Sequence, residues 1–247
     1  MKKIVSIIAL CAVVTPAFSA TKAARPSYLT RNTDGGYDVT YSYADKVKSG
    51  WYGALRAELS FLSWKNEYST DIPGISMGNE KFSFKPLFSP NISFGKRFNY
   101  FWRAEGEFGY ITQFSDEDEG YKFTLSVPYM MANGYYDFTN GLYVGAGLGI
   151  AMPRMELVDD AFTSGNNPKW GVSPMGALMV GLAHKLDDNI VLDLRYRLAG
   201  FWGTKQERQW AAGTTLPGVG DVGGKHLENK VGFIMDNSIS VGIRYEF

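Results

Sequence analysis

The last eleven residues of the chain, 237–247, constrain the fold more than any other stretch. From Ile239 to Phe247 every odd position is apolar or aromatic, while every even position from Ser238 to Glu246 is small, polar or charged. Alternation with a period of two is typical of a β-strand that has one apolar and one polar face. The chain ends on a bare phenylalanine, which suits a strand whose apolar face contacts lipid. The C-terminus therefore favours a membrane-spanning strand.

The first nineteen residues have the three parts of a secretory signal peptide. Two lysines follow the initial methionine, a largely apolar run occupies residues 4–14, and Ala17, Ser19 and Ala20 supply a small-residue cleavage site. This order is typical of exported proteins, and the apolar run is too short to anchor the chain as a membrane-spanning helix. We therefore expect residues 1–19 to be removed on export. Because the single cysteine, Cys11, lies in this segment, the exported chain would have no disulfide or thiol chemistry.

The remaining composition indicates an all-β chain without affinity for nucleic acid. The full sequence has 25 basic and 25 acidic residues, and loss of two lysines with the signal peptide would leave a net charge of −2. A chain without a basic excess lacks the electrostatic footprint of a nucleic-acid-binding protein. The 28 glycines and the aromatic fraction of 15% accompany short alternating segments. We expect one β domain over residues 50–247, preceded by a periplasmic lead-in over residues 20–49.

Eight segments of the chain alternate as strands do. Two prolines, Pro86 and Pro90, interrupt the second segment, and each removes one backbone donor from the sheet. An even number of antiparallel strands can close into an up-and-down barrel. The predicted strands are residues 51–64, 82–98, 100–111, 121–138, 142–151, 172–184, 190–202 and 231–247.

The connections between these segments alternate strictly in length. Short turns are predicted at residues 96–99, 137–141 and 185–189, and long polar loops at residues 65–81, 112–120, 152–171 and 203–230. Transmembrane barrels have short periplasmic turns and longer outer loops. The sequence therefore predicts an eight-stranded antiparallel transmembrane β-barrel with both termini at the periplasmic end.

Periodicity alone leaves open which face of the barrel is apolar, because a secreted ligand-binding barrel would turn its apolar face inward. The loop lengths, strong charges on the polar face and aromatic residues near both strand ends favour an apolar outer face. On this basis we expect the apolar row from Phe123 to Met131 to contact lipid. The aromatic residues assigned to the interfaces are Trp51, Phe98, Tyr100, Trp102, Tyr135, Tyr143 and Tyr245 at the periplasmic end and Trp64, Tyr110, Tyr121, Phe201 and Trp202 at the outer end.

The polar faces of the predicted strands carry ten charged residues of both signs. An eight-stranded barrel is wide enough only for its own side chains, and an unpaired charge inside it would be costly. We therefore predict an ion-pair network that fills the lumen, with a gated pore and a catalytic cluster as the alternatives. The ten residues are Arg56, Glu58, Arg103, Glu105, Glu107, Asp193, Arg195, Arg197, Arg244 and Glu246.

The two histidines give little support to an enzyme. A lipid-modifying serine hydrolase would need serine, histidine and an acid grouped on one strand face. His184 is predicted on the lipid-facing phase, and His226 falls in the last long loop. The acidic run 116–119 could bind a divalent cation or lie solvated. We predict no catalytic residue, no cofactor and no metal site.

Four short motifs extend these inferences by resemblance. The sequence Asn-Gly-Tyr-Tyr-Asp-Phe at 133–138, the glycine-rich run at 143–149, the segment 192–197 and the terminal Gly-Ile-Arg-Tyr-Glu-Phe resemble small opacity-protein-like outer-membrane β-barrels of Gram-negative bacteria. The resemblance covers roughly residues 50 to 247. Prolines in the second strand and the long lead-in depart from that pattern.

The resemblance implies a location and several partners. The protein would lie in the outer membrane, in contact with lipid and lipopolysaccharide, and its loops would be free to bind a host or surface ligand. Ile243, Tyr245 and Phe247 would form the insertion signal that the barrel-assembly machinery reads. The resulting hypothesis is a non-enzymatic barrel with structural or adhesive roles. The alternatives are a narrow channel for ions or very small solutes and, less favoured, a lipid-modifying enzyme.

Overall fold

The computed structural model describes residues 28–31, 37–40, 50–72, 80–118, 121–159, 162–164, 168–216 and 220–247. The predicted signal peptide lies outside these ranges. The chain divides into two compact units, residues 1–49 and residues 50–247. In the first unit, β1 (Tyr28–Arg31) and β2 (Tyr37–Thr40) pair as an antiparallel hairpin. Among the described residues, no helix has the length and apolar character needed to cross a bilayer.

The second unit is built from strands throughout its described length. In chain order the strands are β3 (Gly50–Thr70), β4 (Glu80–Phe88), β5 (Asn91–Arg97), β6 (Trp102–Asp118), β7 (Tyr121–Asp137), β8 (Leu142–Ala151), β9 (Arg154–Asp159), β10 (Phe162–Ser164), β11 (Lys169–Trp170), β12 (Ser173–Lys185), β13 (Ile190–Trp202), β14 (Lys205–Trp210), β15 (Thr215–Leu216), β16 (Gly220–Asp221), β17 (His226–Val231) and β18 (Phe233–Glu246).

Antiparallel pairing closes the sheet into a ring with eight strand positions, one of which β4 and β5 share. The order around the barrel is β3, then β4 with β5, then β6, β7, β8, β12, β13 and β18, which returns to β3. The closing pair runs in register from Met235 opposite Ser63 to Glu246 opposite Tyr52. Beyond it, the backbone N–H of Phe247 donates to the carbonyl of Trp51 at 2.9 Å. The predicted eight-stranded barrel is therefore confirmed.

The second predicted strand breaks at Pro90 without opening the wall, whereas Pro86 lies within β4 opposite Phe61, where the register with β3 shifts. β4 and β5 are separated at Ser89 and Pro90, and both pair with β3. The Ser89 N–H donates to the Glu58 carbonyl at 2.7 Å, and the Pro90 carbonyl accepts the N–H of Tyr110 at 3.1 Å. These two bonds keep the backbone paired on both sides of the break, where proline itself has no donor.

Most of each predicted outer loop is also strand in its described part. β3 has 21 residues and β6 and β7 have 17 each, whereas a tilted strand needs about 9–11 residues to span a bilayer. β17 and β14 pair beside the far end of β3, and β9 pairs with the far end of β7. The segments predicted as loops are therefore largely sheet extensions that project beyond the membrane.

Apolar side chains cover the outside of the ring, as predicted. The exposed row on β3 includes Leu55 and Leu59, and on β18 it includes Val241 and Ile243. Leu148 and Leu178 are 76% and 63% exposed on the opposite side of the barrel. A continuous apolar surface of this kind is stable against lipid rather than water.

Several side chains have the opposite orientation from the predicted one. The row from Phe123 to Met131 on β7 faces the lumen, because the outer half of the lumen is itself apolar. Among the predicted interfacial aromatics, Trp51, Phe98, Trp102, Tyr110, Trp202 and Tyr245 are exposed on the outside. The prediction was wrong for the buried residues Trp64, Tyr135, Tyr143 and Phe201.

Candidate functional site in the barrel interior

The inner half of the lumen, on the periplasmic side, contains the charged residues that the sequence predicts to point into it. Nine of the ten are buried, and the side chain of Glu246, at the periplasmic mouth, is 27% exposed. They come from four strands, β3, β6, β13 and β18, because the polar phase of each of these strands points inward. The ion pairs below fall into three connected groups, from the centre of the lumen to its periplasmic end.

A ring of two arginines and two glutamates lies at the centre. Arg195 Nη1 binds Glu107 Oε2 at 2.6 Å, and Arg197 Nη1 binds Glu107 Oε1 at 3.0 Å. The second guanidinium nitrogen of Arg195 binds Glu58 at 3.2 Å, and that of Arg197 binds the other oxygen of Glu58. Each carboxylate therefore joins both arginines. Because β3, β6 and β13 supply these groups, the ring ties distant parts of the wall together.

A second group lies closer to the periplasm around Arg56. Its guanidinium binds Glu105 at 3.1 Å and Asp193 at 3.5 Å, and it donates to Ser93 Oγ at 2.9 Å. Arg244 approaches the other oxygen of Asp193 to 3.6 Å. The second group touches the central ring, since Arg56 also lies 3.6 Å from Glu107.

The periplasmic mouth is closed by a third group, which includes two residues that sequence reasoning missed. Arg97 binds Asp137 at 2.8 Å and Glu246 at 3.3 Å, and Arg103 Nε binds the other oxygen of Asp137 at 3.0 Å. Both residues lie where a predicted strand overlaps a predicted turn, and neither is among the ten charges predicted to face the lumen. Arg97 is the last residue of β5 and Asp137 is the last residue of β7, and both continue the inward-facing alternation of their strands. That alternation is the sequence signal that could have identified them.

Four buried tyrosines donate further hydrogen bonds to the carboxylates. Tyr52 and Tyr135 donate to Glu105 at 3.1 and 2.8 Å. Tyr129 donates to Glu107 at 3.1 Å, and Tyr143 donates to Asp193 at 2.8 Å. Each ring lies over a glycine directly opposite it on the neighbouring strand, so that the ring fits flat against the wall. The pairs are Tyr52 with Gly95, Tyr129 with Gly109, Tyr135 with Gly145 and Tyr143 with Gly181.

The tyrosine rings also contact the arginines through their faces. The Arg103 guanidinium lies 3.9 Å from the centre of the Tyr135 ring and 4.6 Å from that of Tyr143. Arg197 lies 4.7 Å from the ring centre of Tyr129. Such cation–π contacts strengthen when they are removed from water. They fix the guanidinium planes that the carboxylates then bind.

The outer half of the lumen is mainly apolar as far as Trp64, and buried polar side chains follow on the strand extensions, at Asn66, Gln206, Arg208 and Asn229. Asp236 marks the border, since it lies beside Leu62 on the neighbouring strand and binds Arg197 at 3.0 Å. Beyond this level Trp64 and Phe114 pack edge to face, with ring centres 5.4 Å apart. The buried apolar residues of this half include Leu62, Trp64, Leu87, Ile111, Phe114, Phe123, Leu125, Val127, Met155, Met175, Phe201, Val231 and Ile234.

The histidines are distant from these groups. His184 is exposed on the lipid-facing side of β12 near its periplasmic end, whereas His226 is exposed at the start of β17 beyond the opposite end of the barrel. Within the described part of the chain, no group of three or more histidine, cysteine, aspartate or glutamate side chains could hold a metal ion. Asp116–Asp118 continue β6, and Glu119 lies outside the described residues.

The three residues of the predicted insertion signal lie on the outer surface. Ile243, Tyr245 and Phe247 are 56%, 48% and 71% exposed, and the rings of the last two pack edge to face at 5.2 Å. They occupy the lipid-facing phase of β18 at the periplasmic rim.

Comparison with known proteins agrees on the fold. No protein-family model and no curated protein matches the sequence. The outer membrane protein OprG from Pseudomonas aeruginosa superposes with a TM-score of 0.51 at 14% identity, over 81% of this chain and 97% of that chain. Neisserial surface protein A (20% identity, TM-score 0.46) and Ail of Yersinia pestis (13%, 0.46) align over 81% of this chain and 98% and 100% of theirs. Likeness at these identities extends to the fold alone.

The closed ring and its apolar outer surface define the class of protein. It is a small outer-membrane β-barrel, with the fold that the resemblance to opacity-like barrels implied. Its outer surface lies in the lipid of the bacterial outer membrane, with the short turns on the periplasmic side and the extended hairpins outside.

Proposed function

We propose that the protein is a non-enzymatic, non-conducting barrel that anchors β-hairpins at the cell surface, where they have a structural or adhesive role. The observation that carries this proposal is the filling of the lumen, since charged and aromatic side chains occupy its inner half and mainly apolar side chains occupy its outer half. Such an interior serves as a rigid anchor. Function is then left to the part of the chain outside the membrane.

The inner half opposes the passage of ions by its own pairing. Glu107 and Glu58 each bind Arg195 and Arg197, so a mobile ion would have to displace charge-assisted hydrogen bonds on both sides of the ring. Breaking a buried pair of this kind costs about 3–5 kcal/mol. Thermal motion seldom supplies that free energy at several pairs together.

The outer half adds a barrier of a different kind. Trp64, Phe114 and Phe123 pack against one another there, with ring centres 5.4–6.3 Å apart. Hydrophobic constrictions close channels because water leaves them. An ionic barrier and an apolar barrier in series therefore favour an anchor over the alternative of a narrow channel.

The extracellular hairpins offer the surface for recognition. The outward face of β3, β17 and β14 beyond the membrane has alternating charges, including the ion pairs between Lys230 and Glu67 at 3.6 Å and between Lys205 and Glu228 at 3.3 Å. Exposed, variable connections carry recognition in many barrels. We propose that a host or surface ligand binds these hairpins, that lipopolysaccharide surrounds their base, and that the barrel-assembly machinery inserts the chain.

Conductance across a planar bilayer tests the proposal. The purified full-length protein, with its folded state checked by the mobility shift on boiling, should give no steady unitary openings over a wide voltage range. Steady openings would favour the channel and overturn the anchor. Adhesion is tested separately, by comparing the binding of cells that display the barrel before and after protease removal of the hairpins. Equal binding would exclude an adhesive role.

Incubation with labelled lipid A and labelled phospholipid tests the absence of enzymatic activity. We expect no product. A product that disappears in His184→Ala or His226→Ala would identify a hydrolase and contradict the proposal.

A further inference from the structure

The barrel wall has a seam between β4 and β6 in its outer half. In the inner half, β5 pairs with β3 on one side and with β6 on the other. Above β5, β4 pairs with β3 and the continuation of β6 pairs with β7, but β4 and β6 form no ladder with each other within the described ranges 80–88 and 102–118. The bond from the Tyr110 N–H to the Pro90 carbonyl, at 3.1 Å, lies at the base of the seam. Two strand edges therefore face each other above it.

Both edges of the seam have features that oppose the addition of another strand. Pro86 lies within β4, and proline is tolerated at a sheet edge because its nitrogen donates to no ladder. The register of β4 with β3 shifts between Pro86 and Ser83, and the register of β6 with β7 shifts between Ile111 and Phe114. Prolines and bulges protect strand edges from pairing. The seam is therefore built to stay unpaired.

The base of the seam lies on the lipid-facing surface of the barrel. Phe88 on β4 and Tyr110 on β6 are 50% and 39% exposed there. A barrel in lipid normally pairs every backbone group, because an unpaired group in hydrocarbon costs several kcal/mol. A seam that begins at this depth is therefore costly, and its presence calls for a function.

The lumen behind the seam is apolar. Leu87 on β4 and Ile111 on β6 are buried in the same apolar cluster as Leu62 and Phe114. A molecule that passed between β4 and β6 would meet these side chains, with the ionic ring around Glu58 below them. An ion or a sugar would lose its hydrogen bonds to water in such surroundings. An alkyl chain or a small hydrocarbon would gain free energy there by leaving water.

We propose that the seam between β4 and β6 opens to admit a small apolar molecule, which binds in the outer half of the lumen against Leu62, Leu87 and Phe114. The molecule is a free hydrocarbon-like solute rather than a membrane lipid. This binding function goes beyond the role of an anchor and does not depend on it, because the ionic half of the lumen stays closed to ions while the seam opens.

Photolabelling of the folded, full-length protein in lipid nanodiscs tests the site. The probe is octanol with a diazirine on its alkyl chain, and peptide mass spectrometry locates the labelled residues. We expect labels inside the lumen, at Leu87, Ile111 and Phe114. Labels on the outer surface, at Leu148 and Leu178, serve as the internal reference because both side chains face lipid. An excess of decane should compete for the lumen labels, whereas glucose should leave them unchanged.

A covalent lock across the seam shows whether the molecule enters there. The single cysteine, Cys11, lies in the predicted signal peptide, so Phe88→Cys with Thr112→Cys can be joined selectively. A disulfide joins them where the sulfurs meet, and a short bis-maleimide joins them where they lie too far apart. The joined protein should lose the lumen labels and keep those on the outer surface, with the unjoined double variant as reference. The control joins Ile92→Cys to Phe108→Cys, which are paired neighbours on β5 and β6, and should keep the lumen labels.

Three results would overturn the proposal. Labels confined to the outer surface of the wild type would exclude an apolar site in the lumen. Equal lumen labelling of the joined and unjoined protein would exclude entry through the seam. A phospholipid with a diazirine on its acyl chain is the second probe, and lumen labels from this lipid alone would assign the seam to membrane lipid. Planar-bilayer conductance tests the anchor separately, so either proposal can fail without the other.

Discussion

The Tyr135 ring lies over Gly145, its direct neighbour across the β7–β8 pair, and the Tyr135 hydroxyl donates to Glu105 at 2.8 Å. The glycine is therefore part of the ionic interior although it has no side chain. A ring that can lie flat against the wall brings its hydroxyl to a carboxylate that would otherwise accept fewer hydrogen bonds. The same relationship joins Tyr52, Tyr129 and Tyr143 to their own glycine neighbours.

Replacing Gly145 by alanine should therefore destabilise the barrel. The new Cβ would collide with the Tyr135 ring and force it away from Glu105. Overpacking of this kind typically costs about 1–3 kcal/mol. Urea unfolding of the protein in micelles, followed by tryptophan fluorescence, should show a lower midpoint. The control is Gly134→Ala, one residue before Tyr135 on the lipid-facing phase, where a Cβ meets nothing within 4 Å. Equal midpoints for the two variants would contradict this account.

Glu107→Gln should destabilise the barrel more than any exposed charge change. The substitution keeps the shape of the side chain but leaves Arg195 and Arg197 with one carboxylate fewer at the centre of the lumen. Loss of one partner from a buried pair costs about 3–5 kcal/mol. Lys185→Met, which removes the exposed pair with Asp188, serves as the control and should change the unfolding midpoint little. A small effect of Glu107→Gln would mean that water or other groups replace the carboxylate.

Periodicity predicted the barrel from the sequence because its cause is local. On β3 and β13 every second residue faces lipid, so alternation and loop length together determine strand number, closure and orientation. The ends of strands were less predictable. β3 continues to Thr70 rather than Trp64, because its polar continuation pairs with β17 outside the membrane and so loses the apolar signal.

Side-chain position in the lumen depended on neighbours that lie far apart in the sequence. Tyr143 resembled an interfacial aromatic, and its burial follows from Gly181 on the next strand. The apolar row of β7 alternates as predicted, but it faces the lumen rather than lipid, since Phe123 packs against Trp64 and Phe114 inside the barrel. A period of two gives two faces, and only the contents of the opposite wall decide which face is inside.

The two halves of the lumen should have to be opened together before ions pass. Glu58→Gln and Glu107→Gln together break the central ion pairs but leave the apolar half to exclude water. Replacing Phe114 and Phe123 by serine leaves the ionic half closed. We expect unitary currents in planar bilayers only when the four substitutions are combined and the variant still shows the boiling-dependent mobility shift. Current from the two glutamine substitutions alone would show that the apolar cluster is no barrier.

Removal of Phe247 should impair insertion of the barrel in the outer membrane. Its backbone N–H donates to the Trp51 carbonyl at 2.9 Å, which closes the last position of the β18–β3 seam, and its ring packs on Tyr245 at the lipid-facing rim. Phe247→Ala separates these contributions, because it keeps the backbone bond and loses the ring. If the aromatic ring is the part that the assembly machinery reads, Phe247→Ala and the deletion should lower the folded, surface-accessible protein alike, whereas Phe247→Tyr should retain wild-type levels. Quantifying the unboiled band from outer-membrane fractions measures all three, with expression matched by the boiled total. Wild-type levels in the deletion would refute the role of the C-terminal residues as an insertion signal.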